Sequence, residues 1–593
     1  MVIVMTTRKD LVNLIKSLEP SKIVFWIGAG IDHNVPTNLP LAKELLEKLI
    51  ELTCGNEYAN KIKGQYDLLY DGPPRMETII SEIKLFESEL TDSSKNGTVV
   101  PGFSSFLEAP PNQCHKILAQ YLKQGSNIVS LNYGNTVSKA FNMQYNTNFP
   151  IVPMFDNEMQ MYLYSDESIT QGKIYHPHGV AEDLDTIGIS LSEVKKVLSP
   201  QFKRQITEWI SSGYCFIFLG YSCSDTLDIN PFFEHLNFLS NNNSMAILIN
   251  HSSNESFDSS KQSKEREDLL TPFAQNFRII FNTDTGKFLD SIKLHDPGDQ
   301  AVQPFNWSQN FCKKIAPYNE QLHKYITLGI IKVLGLDCQK ILPTNWYRDC
   351  SYELFRRHWY VDYYFFNCLT EARMLMAARK FSKKLSDDNL TKSDIYAKLG
   401  LTKKAAQTTI PVEEIYEYLN TVNNPTSAII DWNTSTALNR NAEWIILDIL
   451  KHPLSFQRKL EEHSKKASII IKCNQKIIDL GNDSIIDFFQ YLTALRYYGV
   501  LLMISENKYD DSIRYLKQAL FHYDAVSVRA GSITCKLLLS LVEILNIKND
   551  KRSLQTAESY LESVKCYNLK SINPKNLYLY VLLKVYYYFR KKR

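Results

Sequence analysis

The sequence predicts an α/β protein: a mostly parallel sheet domain over residues 1–295, then an all-α helical-repeat region over residues 307–593. Three observations carry this. Up to about residue 295, short β-rich apolar runs alternate with stretches of helical periodicity, the pattern of βαβ units. Residues 296–306 concentrate Pro, Gly, Asp and Gln and read as a linker. Beyond them strand-like alternation gives way to long apolar segments such as "IIDFFQYLTALRYYGVLLMI" and "SITCKLLLSLVEILNI", separated by short polar turns.

In chain order, the candidate strands are Ile23–Ile27, Asn127–Leu131, Tyr214–Leu219, Met245–Ile249 and Arg278–Phe281. Between the first two, "NLPLAKELLEKLIEL" places Leu41, Leu45, Leu49 and Leu52 on one helical face. Thr37 or Asn38 is its candidate cap, with Pro40 near the first turn. In the second half, "ENKYDDSIRYLKQAL" and "DKRSLQTAESYLES" each set a Tyr-Leu pair in a helix after a polar turn, which makes about 480–593 tetratricopeptide-like. Their spacing of 45 residues, Tyr515 to Tyr560, exceeds the roughly 34-residue tetratricopeptide period, so an irregular helical bundle is the alternative. Either form offers a large surface for a partner.

Bulk properties narrow the function. A chain of 593 residues has room for about three or four domains by the usual prior of one per ~100–200 residues. Its formal charge of +3 is small for that length, so nucleic-acid binding is unsupported. Eleven cysteines lie scattered with no C-x-x-C pair, which points away from zinc ribbons and disulfide frameworks and toward a reducing compartment. No apolar run approaches the ~18 residues of a membrane span, and no secretory leader is evident, so a cytoplasmic, soluble protein is expected.

The polar groups of interest fall at the predicted C-terminal strand ends, where open parallel sheets bind ligands. The first strand runs into Gly28-Ala29-Gly30, a turn whose missing side chains let a pyrophosphate approach the backbone, or else a plain structural turn. Asn132, in "SLNYGN", is placed to touch a ribose or position a water; a turn-forming role is the alternative. "KIYHPHG" supplies His176 and His178, two apart on an extended segment, with both imidazoles pointing the same way. Without a third ligand nearby, a general base is expected there rather than a metal site. "LGYSCSD" brings Gly220, Ser222 and Asp225 to another strand end, and "MAILIN" brings Asn250.

In this order, G-A-G, P-N-x-x-H, S-x-N-Y, H-x-H-G, G-Y-S-x-S-D and a late strand ending in Asn, residues 10–290 resemble the sirtuin-like (SIR2-like) NAD-consuming domains of bacterial antiphage defence proteins. The helical half resembles the sensor or assembly regions that follow such domains. The resemblance implies a Rossmann-like sheet and NAD as the substrate, with no metal. It implies that Gly28, Ala29 and Gly30 line the pyrophosphate, with Asp32 beside them. Asn132 would hold the nicotinamide ribose or the attacking water, and His178 would be the base. Gly220, Ser222 and Asp225 would serve the adenosine side, with Asn250 near the adenine ribose. Two positions depart from the pattern: Asp32 stands where Ser or Thr is usual, and Gly134 replaces the Asp of N-Y-D. A carboxylate at position 32 would repel a pyrophosphate unless it points away or is compensated.

The expected function is therefore an NAD glycohydrolase effector of antiphage defence by abortive infection. It would cleave NAD to nicotinamide and ADP-ribose when a phage-derived or system-encoded protein triggers the helical region. A homo-oligomer is a possible arrangement, given the aromatic "YLYVLLKVYYYF" near the C-terminus. The alternatives are a non-catalytic NAD or ADP-ribose sensor and a scaffold whose helices do the work. The cysteine quartet of protein-deacylating sirtuins is missing from the sequence.

Overall fold

The computed structural model describes residues 7–66, 74–90, 99–147, 151–156, 159–164, 172–342 and 402–592, less short stretches within the last two ranges, together with Ser393 and Tyr396. The chain divides into two units. One comprises Met1–Leu52 and Ser93–Tyr318; the other comprises Thr53–Asp92 and Asn319–Arg593.

The first unit is built on nine strands: β1 (Ile23–Ile27), β2 (Asn127–Ser130), β3 (Ile151–Asp156), β4 (Met159–Tyr164), β5 (Ile174–His176), β6 (Cys215–Leu219), β7 (Met245–His251), β8 (Ser256–Phe257) and β9 (Arg278–Thr283). Their order in the sheet is β3-β4-β5-β2-β1-β6-β7-β9-β8. The run β5-β2-β1-β6-β7-β9 is parallel; β3, β4 and β8 are antiparallel additions at the edges. All five strands expected from the sequence form, to within two residues at either end.

β1 is buried at every residue because helices cover both faces of the sheet. Its alternate side chains enter different cores. Ile23, Phe25 and Ile27 pack with Leu11, Ile117, Tyr121 and Phe288, from the helices Arg8–Ser17, Gln113–Lys123 and Thr285–Ile292. Val24 and Trp26 pack with Phe202, Trp209, Phe233 and Phe273 on the other face, where the helices Pro200–Ser211 and Ile229–His235 lie. From β1 the chain moves outward to β2 and β5 on one side, then crosses to β6 on the other. The order thus reverses between β1 and β6, and that crevice at the C-terminal strand ends is where such sheets receive ligands.

Two local expectations change. The helix expected between the first two strands spans Ala42–Cys54 and buries Leu45, Leu46, Leu49 and Ile50; Leu41 precedes it and is exposed, and Leu52 is only half-buried. Neither Thr37 nor Asn38 caps it. Thr37 Oγ1 donates to Pro110 O at 2.7 Å, Asn38 Nδ2 donates to Phe305 O at 2.8 Å, and the Leu41 N–H is instead taken by Glu44 Oε2 at 2.9 Å. A cap side chain spent on a tertiary partner cannot also serve a helix end.

In the second unit, Trp432–Lys451, Phe456–Asn482, Phe488–Glu506, Tyr509–Ala525, Arg529–Leu545, Lys551–Cys566 and Pro574–Lys592 are helices that pack on their sequence neighbours. Gly499 lets two of them close. A Cβ there would sit 3.0 Å from Leu516 Cγ, and Ser512 Oγ donates to Gly499 O at 2.5 Å. No described helix is long and apolar enough to cross a membrane.

Candidate functional site

At the switch point the ends of β1 and β6 meet backbone to backbone. A Cβ on Gly28 would lie 2.7 Å from Gly220 O, one on Gly30 would lie 2.8 Å from Gly220 Cα, and one on Gly220 would lie 2.6 Å from Ile31 N. Gly220 also has φ +57°, which favours glycine by itself. The Gly28 N–H donates to Leu219 O at 3.1 Å and the Gly30 N–H to Gly220 O at 2.9 Å. The three glycines therefore make a side-chain-free crossing, and two of the turn's N–H groups are spent in holding it.

Asp32 follows at the end of the single helical turn Ala29–Asp32 and is buried. Its Oδ1 accepts from His115 Nε2 at 2.7 Å and from Thr136 Oγ1 at 2.9 Å. His115 is fully buried, and its Nδ1 accepts the Asn112 N–H at 3.0 Å, so the ring proton belongs on Nε2, facing Asp32. Asn112 caps the helix Gln113–Lys123, and its Nδ2 donates to Ile31 O at 2.8 Å and Asn34 O at 3.0 Å. The carboxylate at position 32 is thus turned inward and compensated. The P-N-x-x-H motif is the part that compensates it.

Asn132 lies just past the C-terminal end of β2, half-buried, with Nδ2 donating to Gly28 O at 3.1 Å. Its Oδ1 has no protein partner among the described residues, which leaves an acceptor beside the glycine crossing. Its backbone oxygen accepts from His176 Nδ1 at 3.1 Å. Burial pushes the His176 imidazole down to about 4, only partly opposed by that hydrogen bond and by the field of Asp32. His176 is therefore neutral near pH 7 and braces the Asn132 backbone.

The two histidines do not point the same way. β5 ends at His176, the chain turns as the Gly179 N–H reaches back to His176 O at 3.1 Å, and Gly179 has φ +82°. His178 sits in that turn, outside strand alternation, and its Nε2 lies 3.0 Å from Asp228 Oδ2 with both side chains buried. Asp228 also caps the helix Ile229–His235, Oδ1 accepting the Ile229 N–H at 2.8 Å.

Among the remaining expected site residues, Ser222 is exposed and Asp225 half-buried in the loop after β6. Burial, and then the Asp225 carboxylate to which the Tyr221 hydroxyl is hydrogen-bonded, raise the Tyr221 phenol well above its usual range. Asn230 Nδ2 ties the loop to Cys223 O at 2.7 Å. Asn250, in register with Asn282, donates to Asn282 Oδ1 at 2.7 Å and accepts from Arg266 at 2.9 Å. Gly28, Gly30, Asn132 and Gly220 are brought into contact with one another; Asn250 stands one strand further along the same edge. In the helical unit Asp448, Glu462 and His463 cluster, but Lys459 Nζ already lies 3.1 Å from Asp448 and 2.8 Å from Glu462.

Sequence reading missed Asp228 and Thr136, and gave His115 no role beyond its place in the P-N-x-x-H motif. His115 had a visible signal, being the reciprocal partner of an Asn cap three residues earlier. Asp228 is 50 residues from His178, and only the fold joins them.

Residues 126–271, from β2 to the end of the helix Lys264–Leu270, match the family model of the SIR2-like domain. The match covers Asn132, His178, Gly220 and Asn250 and begins after the glycine turn of β1. No curated protein matches the chain.

Proposed function

We propose that the first unit is an NAD glycohydrolase, hydrolysing the bond between nicotinamide and ribose to release nicotinamide and ADP-ribose. The observation that carries it is Asn132, at a strand end next to the topological switch, fixed through Gly28 O and presenting an unpartnered carboxamide oxygen. Loss of nicotinamide passes through an oxocarbenium-like state, which needs a positioned water and charge stabilisation more than a strong nucleophile. The pyrophosphate is read to lie beside the glycine crossing, at the strand ends where such sheets receive ligands. His178 is the base. The SIR2-like match supports NAD as the substrate. Toxic NAD loss calls for control, so we read the helical unit as the receiver of a phage-derived or system-encoded protein trigger in antiphage defence.

The test is an NAD-loss assay on the full chain, with nicotinamide and ADP-ribose quantified and cell toxicity followed in parallel. Wild type consumes NAD, whereas Asn132→Ala and His178→Ala do not. No NAD loss with any trigger, together with equal harmlessness of wild type and His178→Ala, sinks the reading. The second reading, an NAD or ADP-ribose sensor, draws on Gly134 standing where the related pattern has a carboxylate. It requires calorimetric binding of intact NAD without turnover.

A further inference from the structure

We infer that the first unit accepts NADP alongside NAD, with the Arg266 guanidinium receiving the 2′-phosphate of the adenosine. This rests on the reading above, which puts the nicotinamide ribose at Asn132 and the pyrophosphate beside the glycine crossing, and it adds where the other ribose falls. The strand order β2-β1-β6-β7 sets Asn132 on one side of the crossing and Asn250 on the other, with about 4.8 Å between neighbouring strands. Leu219 pairs with Ile249, so the residues that follow them, Gly220 and Asn250, leave the sheet side by side. A pyrophosphate joins two riboses; with one at the end of β2, the adenosine ribose comes to the end of β7. Asn250 is already engaged there at both ends of its amide. Its Oδ1 accepts from Arg266 Nη2 at 2.9 Å, its Nδ2 donates to Asn282 Oδ1 at 2.7 Å, and Asn282 Nδ2 in turn donates to Ser256 Oγ at 3.0 Å. The ladder therefore ends in a guanidinium. The helix Lys264–Leu270 carries Arg266 to the strand end and is fixed on the sheet, because Leu269 and Leu270 enter the same core as Phe218 and Leu248. Arg266 is half-buried, and its Nε and Nη1 make no hydrogen bond among the described residues. One nitrogen is thus anchored while the others keep their hydrogens for a ligand. The 2′-phosphate is the anion that separates NADP from NAD, and arginine is the side chain that binds phosphate through a planar fork.

The products ADP-ribose and ADP-ribose 2′-phosphate probe the site without turnover, by calorimetry on the full chain. In wild type the 2′-phosphate form binds about 10-fold tighter or more, the range of a charge-assisted contact. Arg266→Gln keeps a donor for Asn250 Oδ1 but not the charge, so the advantage falls to within about threefold while ADP-ribose binds as before. Arg266→Lys keeps the charge without the fork and retains part of the advantage. No advantage in wild type, its persistence in Arg266→Gln, or equal loss of both ligands in that variant overturns the inference. Nicotinamide release from NAD and NADP is followed separately. If Arg266 discriminates the two products yet neither dinucleotide is cleaved, hydrolysis is refuted and the assignment of Arg266 stands. If NAD is cleaved and the two products bind alike, the assignment is refuted and hydrolysis stands.

Discussion

Asp32 offers the sharpest test of how the site is held. Both of its hydrogen bonds, from His115 Nε2 at 2.7 Å and Thr136 Oγ1 at 2.9 Å, end on the same oxygen, Oδ1. His115 cannot reverse its tautomer to escape, because its Nδ1 is committed to the Asn112 N–H. Asp32→Ala therefore strands two buried donors at about 1–3 kcal/mol each, or about 4 kcal/mol together. Asp32→Asn keeps an oxygen where both bonds end and loses only their charge assistance, about 1 kcal/mol per bond. With roughly 2–4 °C of melting temperature per kcal/mol in a domain of this class, Ala lowers the transition of the first unit by about 10 °C and Asn by about 5 °C. Differential scanning calorimetry of the full chain measures both. Equal losses in the two variants, or a loss below about 1 kcal/mol in Ala, refutes a buried acceptor role for Asp32.

Gly220→Ala places a Cβ 2.6 Å from Ile31 N at a residue with φ +57°. Strain of about 1–2 kcal/mol adds to overpacking of about 1–3 kcal/mol, and calorimetric NAD binding is expected to vanish while circular dichroism keeps its helical signal. His176, held down to about 4 against an unfolded value near 6.5, binds its proton more readily when unfolded. Its contribution of roughly 3 kcal/mol is thus complete above pH 6.5 and lost as pH falls toward 4. Urea titrations at pH 7 and pH 5 show about 2 kcal/mol of that loss in wild type and a smaller one in His176→Gln. Phe311→Ala removes the ring packed 5.6 Å from Phe103 and 5.9 Å from Phe106, centroid to centroid. It lowers turnover more than NAD affinity, and equal turnover to wild type contradicts a positioning route through that ring.

The central strands were legible because each is a continuous apolar run between turn residues, and their polar C-terminal neighbours followed from parallel topology. β3 and β4 were not. Pro153 interrupts one run, and only the two residues 157–158 separate the strands, without the Asn-Gly or Asp-Gly signal that marks a tight hairpin. Asn132 was readable as a strand-end residue, but its bond to Gly28 O was not, since strand adjacency is a tertiary fact. The same holds for Asp32: the sequence leaves open whether its carboxylate repels a pyrophosphate or is compensated, because the donors that satisfy it, His115 and Thr136, lie 83 and 104 residues away along the chain.

The parts of the site differ in how firmly they are held. The glycine crossing of β1 and β6 is fixed by backbone contact, and Asp32 is locked from within. Asn132 has a softer mounting. Its neighbour Tyr133 meets Phe103 edge-on at 5.3 Å, and Phe103 meets Phe311 at 5.6 Å, on the helix Trp307–Lys314 that directly follows the 296–306 segment. Gly102 is what admits that helix, since a Cβ there would lie 2.8 Å from the Phe311 ring. A shift of the helix would thus reach Asn132 through two ring contacts without disturbing the crossing. Regulation acting through this helix should therefore alter the placement of water and ribose, read as kcat, before it alters the hold on pyrophosphate, read as affinity.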